Sequence, residues 1–166
     1  MRYLRTLLIL AAADVLSLFI GLTLAATANP LIRVVSAVCG SGIMICLMAS
    51  FALKTAAGDL RSERASGKKT PLLHPIEMTA AALAPPLASW LVLRFSAGGT
   101  LDFYRWHKLI NGWFIQICNM INPSARSADL TSGQIWAMLP LAFVPAAVFA
   151  CFYVLGYKGV IGAEKN

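Results

Sequence analysis

The sequence predicts an all-α integral membrane protein, with four transmembrane helices and one amphipathic interfacial helix on the outer side. Three observations predict it. Hydrophobic residues fill 58% of the 166 positions and charged residues only 13%, against roughly 45–50% and about 25% in soluble domains. The apolar residues gather into runs of about 18 or more, long enough as helices to cross a ~30 Å hydrocarbon core. Within each run they cover every face rather than one stripe, and most charges lie in the gaps between runs.

Residues 1–166 read as a single four-span membrane domain. The first span is expected over 4–26 and the second over 32–53, with Asn29-Pro30 as the breaker between them. Residues 54–74 are polar, basic and rich in small side chains, and are expected to form a loop on the cytoplasmic side. The third span is expected over 75–95. Pro75 suits a first helical turn, and Glu77 favours a helix N-terminus through the dipole. The fourth is expected over 134–157, where Thr131 and Gln134 fit a capping box.

Residues 103–122 carry a different pattern. At 100° per residue, Trp106, Leu109, Ile110, Trp113, Phe114, Ile117, Met120 and Ile121 fall in an arc of roughly 140°. Arg105, His107, Lys108, Asn111, Gln116, Asn119 and Asn122 fall outside it. This predicts a helix lying in the membrane interface, anchored by Trp106, Trp113 and Phe114, with its polar face in water.

Basic residues set the orientation. With the N-terminus inside, nine of the fourteen Lys and Arg lie on the cytoplasmic side and five outside. Both termini are therefore expected in the cytoplasm of a multi-pass protein of the plasma (inner) membrane. The net charge of +7 is explained by this bias, and no nucleic-acid partner is expected. Arg61, Arg64, Lys68 and Lys69 are expected to set topology and touch anionic lipid. Ala26-Thr27-Ala28 is like a signal-peptidase site, but the preceding apolar stretch exceeds the roughly 7–15 residues of a signal core. A retained helix is expected.

Asp14 is the acid deep inside a span. An aspartate at a helix centre costs ~2.5–3.5 kcal/mol on insertion scales, so it should face protein or water. One reading is a packing hydrogen bond; the other is a proton-carrying or ligand-coordinating site. Pro85 and Pro86 supply a candidate partner. They lack N–H donors and free the carbonyls of Ala81 and Ala82. Depth counting at ~1.5 Å per residue puts Asp14 and Ala82 near the same level. An Asp14 hydroxyl, or a water that it holds, is expected to donate to one of these carbonyls.

Catalytic motifs are missing. There is no Walker A, GxSxG, HExxH or CxxCH pattern, and Cys39, Cys46, Cys118 and Cys151 form no metal-ligand spacing. No enzyme, cofactor or metal site is expected. Arg94 is expected to snorkel, and His74 and His107 to be surface histidines. Gly21 with Ala25, Ser36 with Gly40, and Ala37 with Ser41 offer close packing within or between chains. By composition the chain is similar to small bacterial inner-membrane proteins. The expected function is an accessory, scaffold or assembly partner of another membrane protein, or of a second copy of itself. The alternative is a small transporter or channel component using Asp14 and the broken third span.

Overall fold

A computed structural model describes residues 2–25, 30–97 and 101–161; Ala26-Thr27-Ala28 lies outside them. All regular structure among these residues is helical. Helix α1 is Arg2–Ala25, α2 Pro30–Ser66 and α3 Leu73–Ser96. Two short helices, α4 (Tyr104–Ile110) and α5 (Ile115–Ile121), flank a 3-10 turn at Gly112–Phe114. Helix α6, Ser132–Tyr157, follows a second 3-10 turn at Ser127–Asp129. Helices α1, α2, α3 and α6 are each long and apolar enough to cross a membrane.

Helix α1 packs on α2 and α3, and α6 packs on the same two. The four long helices therefore close a ring in the order α1–α2–α6–α3. Its core holds Leu10 and Ala13 of α1, Met44 and Met48 of α2, Met78 and Ala82 of α3, and Phe149 of α6. Unbranched methionine suits the irregular gaps between crossing helices. The capping box at Thr131 forms as expected: its side chain accepts from the Gln134 amide, and the Gln134 side chain accepts from the Thr131 amide. Gln134 also donates to the Ile121 carbonyl, tying α6 to the end of α5.

Two segments differ from the sequence reading. Residues 54–74 were expected as a loop, but α2 runs on to Ser66. At 1.5 Å per residue its 37 residues reach about 55 Å, far more than a hydrocarbon core needs. Polar composition marks where a helix leaves lipid, not where it ends. Here Ala, Leu, Arg and Glu favour continuation, and Gly67, at φ +68°, ends it. Arg61 and Arg64 stand exposed on this extension, with Lys68 and Lys69 exposed just beyond.

The second difference is larger. Residues 103–122 do not form one helix lying flat. They form a helical hairpin, α4–turn–α5, that descends into the ring and touches α1, α2, α3 and α6. Its polar side is the buried one: His107, Lys108, Asn111, Gln116 and Asn122 are each at most 8% exposed. Trp106, Leu109, Ile110 and Met120 point outward. Polar groups held among apolar helices are satisfied by turning toward one another, and apolar ones can face lipid. The arc on the wheel does not survive as one face: Trp106, Leu109, Ile110 and Met120 point outward, whereas Trp113 and Phe114 at the turn are buried.

Candidate functional site

The tip of the hairpin is built on glycine. Asn111 (φ −118°, ψ 46°) leaves the helical region, and the chain turns through Gly112. A Cβ at Gly112 would stand 2.3 Å from the Leu18 Cγ and 2.9 Å from the Asp14 Oδ1. Only glycine lets the backbone approach α1 this closely. The Gly112 N–H donates to Asp14 Oδ1 at 2.6 Å. Asp14 lies eleven residues before the end of α1, so the tip reaches roughly 16 Å down that helix.

Further notches receive the same tip. A Cβ on Gly40 of α2 would meet the Trp113 carbonyl oxygen at 3.2 Å, and one on Gly21 of α1 would meet the Ile115 Cγ2 at 3.3 Å. Ser17 Oγ donates to the Gly40 carbonyl at 2.9 Å, and Gln116 donates to the Gly21 carbonyl. Two of the expected small-residue surfaces thus receive the hairpin of the same chain. Trp113 and Phe114, expected as interfacial anchors, are 2% and 4% exposed and belong to the central core. Of the three aromatic anchors, Trp106 alone is exposed.

The buried polar face is paired internally. His107 Nδ1 lies 2.9 Å from Ser89 Oγ of α3, and Asn111 Nδ2 donates to Ser89 Oγ and to the His107 carbonyl. With Asn111 donating to Ser89, the serine hydroxyl is free to donate to the imidazole. Serine beside histidine is a nucleophile–base pairing in other settings. Here both side chains are 4% exposed, which leaves no room for a reacting carbonyl. Lys108 is saturated: its Nζ donates to Asn119 Oδ1 (2.7 Å), the Asn122 carbonyl (3.1 Å) and the Ser124 carbonyl (2.6 Å). It also lies 4.2 Å from the Tyr104 ring centroid, where the face of the ring stabilises the cation. Tyr104 closes the hairpin by donating to the Cys118 and Asn122 carbonyls. His107, expected at the surface, is therefore an internal strut.

The direct hydrogen bond of Asp14 does not run to the carbonyls of Ala81 or Ala82. The partner of Asp14 is the Gly112 amide, from which Oδ1 accepts. Asp14 and Pro85 do lie at the same level and line one cavity of about 190 Å³, with Leu10, Ile110 and Trp113. Trp113 carries a buried indole N–H without a hydrogen-bond partner. Ala82 and Pro86 are buried, and Ala81 is half-buried.

At the opposite end lies a polar cluster that sequence reasoning missed. Tyr153 and Tyr157 of α6 donate to Asp59 (2.9 Å) and Glu63 (2.6 Å) of α2. Arg2 of α1 pairs with Asp59 at 2.7 Å and lies 3.1 Å from His74 Nδ1 of α3. The signal was present: two acids four apart on one helix and two tyrosines four apart on another make matching ladders. The cluster joins all four long helices and explains why α2 stays helical beyond the span.

Comparison of the chain with protein-family models, with curated proteins and with solved structures returns no match. Fold and composition define a class, a four-helix protein suited to multiple membrane crossings with a hairpin set into one end of the ring.

Proposed function

We propose that this protein works through contacts, as an accessory or assembly partner of another membrane protein or of a second copy of itself. In this reading α1, α2, α3 and α6 cross the bilayer, and the hairpin is a re-entrant plug entered from the side where α3 ends and α6 begins. The observation that carries the reading is the internal pairing of the hairpin's polar face. His107, Lys108, Asn111 and Asn122 bond to Ser89, Asn119 and nearby backbone, so these groups hold the fold and line no path through it. Meanwhile Val35, Val38 and Ile45 share one exposed face of α2, with open space over Gly42. A partner helix would approach closely there.

Extraction in mild detergent followed by co-purification tests this. A stoichiometric membrane protein, or a dimer weakened by Gly42→Leu, is expected. A monomer without companions, combined with Asp14-dependent flux in proteoliposomes, would contradict it. That second outcome belongs to the transport reading, which one observation favours: Asp14, Pro85 and Trp113 border the same 190 Å³ cavity beside the proline break.

A further inference from the structure

A second cavity, of about 430 Å³, opens where α1 begins and the apolar run of α2 ends. Arg2, Arg5, Lys54 and Asp59 line it, with Phe51, Thr55, Gly58 and Met78. Asp59 is engaged by Arg2 and by the Tyr153 hydroxyl. Arg5 and Lys54 have no acidic partner among the described residues. Two helices therefore bring three cations to one cavity that holds a single carboxylate, already paired. This differs from Arg61, Arg64, Lys68 and Lys69, none of which lines it.

From this geometry we infer that the cavity binds the phosphate of an anionic phospholipid. Charge and room point to a phosphate ester. Position points to a lipid as its source. Arg5 stands at the first residues of the apolar run of α1, and Lys54 follows the last apolar residues of α2. Both cations thus sit at the depth where the hydrocarbon gives way to headgroups. Phe51 and Met78 give the cavity an apolar wall on the span side, against which the glycerol and first methylenes pack. Arg2 is held toward the cavity by its 2.7 Å pair with Asp59. Clustered basic side chains favour anionic over zwitterionic headgroups.

The test is native mass spectrometry of the full chain in mild detergent, titrated with phosphatidylglycerol or phosphatidylcholine. Phosphatidylglycerol should be retained over phosphatidylcholine. Each basic side chain near an anionic headgroup is worth roughly five-fold in binding, so Arg5→Gln with Lys54→Gln should weaken retention roughly 30-fold. Gly58→Leu supplies an independent arm. Its Cβ meets nothing within 4 Å, leucine favours the helix, and the added side chain takes up part of the cavity between the helices of Arg5 and Lys54 with every charge in place. It should also lose the lipid. Lys68→Gln with Lys69→Gln should not. Retention by Gly58→Leu, or equal loss on neutralising Lys68 and Lys69, would overturn the inference. Displacement of phosphatidylglycerol by inorganic phosphate alone would overturn the assignment to lipid.

Discussion

Gly112→Ala is the most informative single substitution. Gly112 does not have positive φ, so alanine fits its backbone. Such a replacement ordinarily stabilises a protein by about 0.4–1 kcal/mol through the unfolded chain. Here the new methyl would stand 2.3 Å from Leu18 Cγ and 2.6 Å from Leu18 Cδ2. Either Leu18 leaves its rotamer or the tip withdraws from α1. Overpacking of this kind costs roughly 1–3 kcal/mol. Withdrawal also breaks the 2.6 Å bond to Asp14, worth about 1 kcal/mol. The expected net loss is about 2–3 kcal/mol. Reversible unfolding in mixed micelles, followed by circular dichroism, measures it. Leu18→Ala in the Gly112→Ala background should recover at least 1 kcal/mol or so relative to the sum of the single changes, since the clash is pairwise. A Gly112→Ala protein as stable as wild type, or a strictly additive cycle, would refute the close approach of hairpin and α1.

Three further outcomes follow from the same contacts. Trp113→Ala should cost roughly 3–5 kcal/mol and Trp106→Ala less than about 0.5, because one is core and the other exposed; equal effects would restore the picture of two interfacial anchors. Asp14→Asn keeps an oxygen for the Gly112 amide and should lose under about 1 kcal/mol, whereas Asp14→Leu orphans that amide and should lose roughly 1–3; indistinguishable melting curves would show that the bond does not position the tip. Lys108→Met removes the shared donor of three oxygens and should lower stability by about 2 kcal/mol, measured by the same unfolding assay, with Arg105→Met near neutral as the control.

Much of the bundle could be read from the sequence. Four long apolar runs become four long helices, and Thr131 with Gln134 caps α6, because these signals are local. Residues 54–66 misled because polar composition reports the end of lipid, while the tyrosine ladder that keeps them helical lies almost a hundred residues away. The hairpin misled for a related reason. Its amphipathic arc was read as if water lay outside, which is true of a surface helix. Asn111-Gly112 is a turn dipeptide and was the local sign of a break. Asp14 was legible as an acid in need of a protein partner. The amide that meets it comes from 98 residues away, and no pattern within α1 points to it.

The most direct test of the central claim, that the polar side of the hairpin is turned into the ring, is maleimide accessibility. Single cysteines at Asn111 and Gln116, in a background without the native four, are exposed to a water-soluble maleimide in opened membranes. Arg126→Cys, at an exposed position, serves as the reference. Both buried positions should stay unlabelled until the protein is unfolded in detergent. Labelling of Asn111→Cys and Gln116→Cys in folded membranes at the rate of Arg126→Cys would contradict the account.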